Sequence, residues 1–421
     1  MKHNKKYDLK HLSFALLGLL VAAAIAFGVF RTSTSGSSAS AESAVTSADD
    51  AFSERDLSGA YDDEVFSITL TGSGAQTDSS GVTVSGSTVT VTAEGTYVIT
   101  GTLNDGTIVV DATKDDKVQL VLSGVSIRSS DYAAIYVKQA DKVFVTLADG
   151  TENTLSNGGT YVQRDENEVD AVVFSKDDIT FNGTGSLVIT ASSGSGVVGK
   201  DEVTITDGTY QITAAKNAIR AKDSLAVAGG SFTLYASADG LHAENGDDDT
   251  LGSVYIAGGS FVIQARDDAI HANTILQIDG GSFTLTAAEG LEATYVLING
   301  GTLQISASDD GINAAKKSSL CTPTVEINGG DITITMGAGD TDGVDANGNI
   351  VINGGTIRVT GQSAFDYDGT AQYNGGTIIV NGQQVYSIPN QMMGGGMGGM
   401  GGMGGHGGWG GMGGWGGRGG W

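Results

Sequence analysis

Ile278-Asp279-Gly280-Gly281-Ser282-Phe283-Thr284-Leu285 decides the fold, because the same phrase keeps returning. Ile298-Asn299-Gly300-Gly301-Thr302-Leu303-Gln304-Ile305 and Ile352-Asn353-Gly354-Gly355-Thr356-Ile357-Arg358-Val359 repeat it. Measured at the second glycine, the copies fall at Gly208, Gly230, Gly259, Gly281, Gly301, Gly330, Gly355 and Gly376, in steps of 20 to 29 residues. Repeats of this length are units that bury their apolar face only against their neighbours. After each Gly-Gly the apolar residues alternate with polar ones, as in Ser-Phe-Thr-Leu, which is the signature of a half-buried strand. The glycines supply a tight corner.

About eight residues further on comes a second phrase: an acid or small residue, an acid, Gly or Ala, an aliphatic residue, any residue, then Ala. It reads Ala238-Asp239-Gly240-Leu241-His242-Ala243, Asp267-Asp268-Ala269-Ile270-His271-Ala272 and Ala288-Glu289-Gly290-Leu291-Glu292-Ala293. It continues as Asp309-Asp310-Gly311-Ile312-Asn313-Ala314 and Thr341-Asp342-Gly343-Val344-Asp345-Ala346. A third short strand, such as Tyr295-Val296-Leu297-Ile298, leads to the next Gly-Gly. Three short strands and three corners per repeat predict an all-β chain, a right-handed parallel β-helix or β-solenoid. A leucine-rich repeat of this period needs a Leu-x-x-Leu-x-Leu phrase, which is missing, and a propeller blade needs ~40 residues. Before Ile205 the repeats degenerate but the strands persist, from Val65 onward, so the N-terminal portion is expected to be irregular and strand-rich. Terminal repeats of a solenoid depart from the pattern because they close an open end.

The 421 residues carry a formal charge of −26, which excludes a basic nucleic-acid footprint. Cys321 is the single cysteine, so no intrachain disulfide exists and the residue reads as a small apolar filler. Lys2, Lys5, Lys6, Lys10 and His11 precede an uncharged apolar run over residues 12–30, and Ala39-Ser40-Ala41 follows as a small-residue cleavage site. This is an export signal, either cleaved or retained as a membrane anchor. The expected organisation is a signal or anchor at 1–41, a polar linker at 42–57, the β-helix at 58–390, and a Gly/Met/Trp tail at 391–421. That tail carries all three tryptophans and cannot bury a core, so disorder is expected there. The repeats are thus expected outside the cytoplasm, extracellular or at the cell surface.

Stacked coils bring equivalent positions to ~4.8 Å. The second phrase therefore predicts a column of Asp239, Asp268, Glu289, Asp310 and Asp342, with Asp267, Asp309, His242, Glu292, Asn313 and Asp345 beside it. Carboxylates at that spacing repel by about 3 kcal/mol at an effective dielectric of 20. Calcium, a hard cation with six to eight oxygen ligands, suits such a ladder. The alternative is a solvated acidic face. Zinc is disfavoured: there is no cysteine cluster, and His242 and His271 lie one repeat apart with no third histidine near. That pair reads as a stacked surface pair. The Asn299, Asn328, Asn353 and Asn374 column before Gly-Gly reads as structural, bonding amide to amide. Two insertions, at 244–251 and 315–323, fall at the same corner and should emerge on one side, often the binding side.

Gly95-Thr96-Tyr97-Val98-Ile99-Thr100-Gly101-Thr102-Leu103-Asn104-Asp105-Gly106 and Ala140-Asp141-Lys142-Val143-Phe144-Val145-Thr146-Leu147, with the repeated Asp-Gly and Asn-Gly-Gly phrases, resemble a family of exported bacterial carbohydrate-binding proteins. The resemblance covers about Val65 to Val380. It implies a calcium-loaded right-handed β-helix, related to pectate lyases, that binds cellulose-like or acidic polygalacturonate-type polysaccharide without catalysis. Two alternatives stay open. One is a calcium-dependent polysaccharide lyase, for which Lys316 and Lys317 are the best-placed bases, with Lys222 and Arg220 behind them. The other is a surface adhesin or scaffold.

Overall fold

The computed structural model describes residues 46–61, 64–339 and 341–390. The expected signal or anchor at 1–41 and the tail at 391–421 lie outside the described residues. One full rung shows the architecture: Asp268–Ala272, then Ile275–Ile278, then Ser282–Ala287. The next rung is Glu289–Ala293, Tyr295–Ile298 and Thr302–Ala307. Each strand pairs in parallel with its counterpart one rung on: His271 faces Glu292, Ile278 faces Ile298, and Phe283 faces Leu303. Three parallel ladders result, and the fold is the parallel β-helix expected from the repeat.

The alternation after Gly-Gly does what its period demands. In Ser282–Ala287 the residues Phe283, Leu285 and Ala287 are buried while Ser282, Thr284 and Thr286 are exposed. Gly281 holds φ +109°, and a Cβ there would meet the Gly259 carbonyl at 2.9 Å. Gly290, in the acidic phrase, is required for a different reason: a Cβ would lie 2.4 Å from the Gly311 carbonyl of the next rung. One apolar core runs through the stack from Ile68 to Ile388. Within it Tyr210, Phe232, Phe261 and Phe283 stack face to face, with centroids 5.0, 4.6 and 4.7 Å apart.

The ends depart from the repeat as capping requires. Phe66–Gly72 pairs antiparallel with Ala75–Thr77, and Val82–Ser85 with Thr88–Val91. At the other end Thr377–Val380 pairs antiparallel with Gln383–Val385. Gly95–Leu103 and Lys117–Ser129 are long strands, and the second spans two ladders, pairing with both Lys142–Leu147 and Glu152–Asn157.

Sequence reading treats 42–57 as a linker; residues 46–57 instead form a strap on the ladder that contains Lys142–Leu147. A short helix, Ala48–Ala51, is capped by Ser47. Phe52 is buried and its ring lies 5.9 Å from that of Tyr255. Asp56 is 3 % exposed, pairs with Lys142 at 2.8 Å and accepts from Thr180 Oγ1 at 2.6 Å. Asn182 and Thr206 donate to the Asp56 carbonyl. The polar composition of the strap is spent on pairing with polar residues that face outward from the β-helix, a match invisible from either segment alone.

Candidate functional site

The acidic phrases form the ladder Leu241–Ala243, Asp268–Ala272, Glu289–Ala293, Asp310–Ala314, Asp342–Ala346 and Ser363–Tyr367. Registry is as the repeat implies. Asp268 faces Glu289 and Asp310 faces Asp342. A second column three residues along runs His242, His271, Glu292, Asn313, Asp345 and Asp366. Strict alternation would put the two columns on opposite faces. The pairing passes from Asp268–Glu289 to Ile270–Leu291 without Ala269 or Gly290, and both columns end on the outer side.

The first half of this surface is partly paired within the chain, while burial and neighbouring acids raise Asp268 to about 7 and Glu289 to about 8. His242 Nδ1 lies 2.7 Å from Asp239, and His271 Nδ1 lies 2.8 Å from both Asp268 and Glu292. Lys317 Nζ is 2.7 Å from Glu292. Burial alone would lower the His271 imidazole, but hydrogen bonds to Asp268 and Glu292 hold it up at about 10, so it is a cation here. Burial favours a neutral Glu292, yet His271 and Lys317 pull its carboxyl down to about 2. The two imidazoles stack at 4.7 Å, 12° from parallel. They stack as the sequence suggests, but they are buried rather than on the surface, each 8 % exposed.

A cleft of about 260 Å³ opens here, lined by Asp239, Asp267, Asp268, Glu289, Glu292 and Lys317 together with both histidines and Glu244. Donor atoms of Asp239, Asp267 and Asp268 lie within 4.8 Å of one another, as do those of Asp268, His271 and Glu292. The two insertions wall this cleft. Ser318 Oγ donates to the Asp249 carbonyl, and Ser319 N donates to Asp249 Oδ2 at 3.0 Å. They emerge on one side, as their common corner predicts.

The second half holds Asp310, Asn313, Asp342, Asp345, Ser363 and Asp366. No ion pair engages Asp310 or Asp345 among the described residues. Burial, then the charges of Asp310, Asp342 and Asp366, push the Asp345 carboxyl up to about 7. Burial and the neighbouring acids raise Asp310 to about 6. Asn313 donates to Glu289 at 3.0 Å, which leaves its Oδ1 facing away from that rung; this buried oxygen and Ser363 Oγ have no hydrogen-bond partner among the described residues. Buried oxygens without a partner, on rungs that also carry Asp310 and Asp345, are the donor type that a hard cation accepts.

Of the sequence-predicted residues, Glu289, Asp309, Asp310, Asp342 and Asp345 belong to neither donor group, Asp309 is exposed, and Lys316 is exposed and outside the cleft. Lys222 is committed to Asp247 at 2.6 Å, and Arg220 lines a separate cavity with it. Sequence reading missed Asp366, whose Ser363-Ala364-Phe365-Asp366 phrase lacks the Asp-Gly signal. It also missed a second acidic corner where Asp201 is raised to about 6 by burial and by Asp178 and Asp223. The predicted amide column is present: Asn328, Asn353 and Asn374 each donate to the preceding asparagine at 2.7–2.8 Å, and Asn299 donates to Asp279.

A family model described as carbohydrate-binding domain-containing protein matches residues 85–341 and 291–384. A carbohydrate-binding domain-containing protein of Acetivibrio thermocellus is 39% identical over 136 residues, 32% of this chain and 48% of that protein. The chain thus spans about half the length of that relative. The solved structure of the polysaccharide lyase-like protein from C. thermocellum, a gadolinium derivative, is 33% identical with a TM-score of 0.50. That match covers 57% of this chain and 93% of the solved one.

Proposed function

This chain belongs to the carbohydrate-binding domain-containing family, and from that premise we propose that it is a noncatalytic, calcium-stabilised module that holds polysaccharide outside the cell. The observation that carries the calcium reading is the register of Asp310 with Asp342 and of Asn313 with Asp345 on neighbouring rungs, where Asn313 Oδ1 and Ser363 Oγ are buried without a hydrogen-bond partner among the described residues. An all-oxygen set with carboxylates in register suits calcium. Asp239, Asp267 and Asp268, joined by Glu289 and Glu292, would form a second, partly neutralised position. Gadolinium, which the solved relative carries, is likewise a hard, oxygen-seeking cation. Bound calcium would neutralise the columns and could bridge to uronate carboxylates, which is how so acidic a chain could hold a polygalacturonate-type polymer; a cellulose-like glycan would not need the bridge. Export by residues 12–30, cleaved or kept as an anchor, would put the β-helix where such polymers are.

The lyase alternative is weakened by Lys317. A base for β-elimination needs a lowered pKa, and the Glu292 carboxylate, overcoming the opposite effect of burial, raises that of Lys317. Incubation of the exported domain with polygalacturonate and with cellulose, each with calcium and with chelator, separates the readings. Retention without ultraviolet-absorbing unsaturated product supports the binder. Product formation replaces it with the lyase, and no retention on either polymer leaves a scaffold.

A further inference from the structure

The acidic ladder is not the best-shaped surface for a polymer. At the corner between the Gly-Gly strands and the acidic ladder run two adjoining troughs of about 380 and 460 Å³, which share Ala265, Arg266 and Thr286. Their floor is made of strand-end residues that are small: Ala214, Ala236, Ala287 and Ala307, with Met336 at the end. These are register partners on successive rungs, as Ala287 faces Ala307 and Ala307 faces Met336. The trough therefore follows the stacking axis, and six rungs at ~4.8 Å give it a length of about 24 Å. Its outer wall presents Thr213, Tyr235, Gln264, Thr286, Ser306 and Thr335, one polar side chain per rung. Tyr235 is 38% exposed, a ring available for stacking.

The charge pattern is the second observation. On a chain of formal charge −26, neither trough is lined by a single carboxylate. The sole charged lining residue is Arg266, exposed, with no ion pair among the described residues. An unpaired guanidinium set between hydroxyls and amides is a receptor for a carboxylate, which it can grip with two parallel hydrogen bonds.

We infer that this corner trough seats a single extended chain of an anionic polysaccharide, with Arg266 pairing to a uronate carboxylate and the wall of hydroxyls and amides meeting the sugar hydroxyls rung by rung. The inference rests on the polysaccharide reading and names its site and polymer class. The periodic wall argues for a linear polymer with a regular spacing of hydroxyls. The lone cation argues for a charged polymer over a neutral one, since a neutral glycan would leave Arg266 unused.

The test is affinity electrophoresis of the full exported chain in gels containing polygalacturonate or its fully methyl-esterified form, with calcium present. Arg266→Gln should weaken retention by polygalacturonate roughly tenfold or more, as loss of a charge-assisted hydrogen bond implies. It should leave the methyl-esterified polymer and the melting temperature unchanged. Ser306→Tyr, which fills the trough from an exposed strand position, should weaken polygalacturonate retention without altering the melt. If wild type holds polygalacturonate while both variants match it, the trough assignment fails and the polysaccharide reading stands. Equal losses by Arg266→Gln on both polymers overturn the carboxylate pairing. A parallel gel with a soluble cellulose derivative separates the remaining outcomes: if wild type is retained by the cellulose derivative alone, the inference falls and the polysaccharide reading stands, and if it is retained by none of the three polymers, both fall.

Discussion

Asp345→Asn should change the stability of this protein with opposite sign depending on calcium. Asp345 faces Asp366 one rung on and lies beside Asp310 and Asp342. One rung is ~4.8 Å, and two charges at that distance repel by about 3 kcal/mol at an effective dielectric of 20. The position is half-buried, and solvent screening reduces the net effect to about 1 kcal/mol. In chelator at pH 8, where Asp345 is ionised, the neutral variant should therefore be more stable by about 1 kcal/mol, roughly 2 °C in melting temperature. In calcium at a hundredfold excess over its dissociation constant, bound ion stabilises wild type by ~2.7 kcal/mol. If loss of one charged ligand weakens binding about a hundredfold, that contribution falls to ~0.4 kcal/mol, and the variant becomes the less stable protein. Glu94→Gln is the control, since that exposed carboxylate lies outside the acidic ladder, and it should be near neutral in both buffers. Thermal melts by circular dichroism in the two buffers read the outcome. A shift of the same sign with and without calcium would refute the reasoning.

The aromatic stack makes a second expectation. Phe261 has parallel rings on both sides, whereas Phe283 has one ring and then Leu303, so in denaturant titrations Phe261→Leu should cost about 1 kcal/mol more than Phe283→Leu. Equal losses would show that the stack contributes only its buried area. For the strap, burial alone would raise the Asp56 carboxyl, but Lys142, Ser53 and Thr180 hold it below its ordinary value. Its contribution is then fully present above the unfolded pKa of about 3.9 and is lost as pH falls through the lower folded value. Asp56→Asn should cost about 3 kcal/mol near neutral pH, and the gap to wild type, followed by melting from pH 7 down to pH 3, should close on the acid side; a gap that widens there would contradict the pairing. Asn353 both donates to Asn328 and accepts from Asn374. Asn353→Ala should lower stability by about 1 kcal/mol, measured by chemical denaturation, and no loss would mean the exposed amides bond equally well to water.

The two halves of the ladder suggest a division of labour. His271 and Lys317 pair with Asp268 and Glu292 from within the chain, which compensates part of the first half. The second half has Asn313 where the first has histidine, and its carboxylates face one another with buried oxygens left over. Cation dependence should thus include the C-terminal rungs, where Asp310, Asp342 and Asp345 lie.

Much of this was determined by the sequence alone. The Gly-Gly period sets the rung, the alternation after it sets which residues face in, and the shared offset of each Asp-Gly phrase puts the acids in one line. These are local, repeated features, and a solenoid converts equal spacing along the chain into adjacency in space. The amide column and the common side of the two insertions follow for the same reason. What only the tertiary structure decided are the contacts that no period encodes. Residues 46–57 look like a linker because their partners, Lys142, Thr180 and Asn182, lie about a hundred residues away. The burial of His242 and His271 goes with their stacking on each other and with carboxylate partners on neighbouring rungs. Arg266 carries no motif at all: its isolation in a trough without carboxylates is a property of the corner, formed by small residues that each read in sequence as ordinary strand ends.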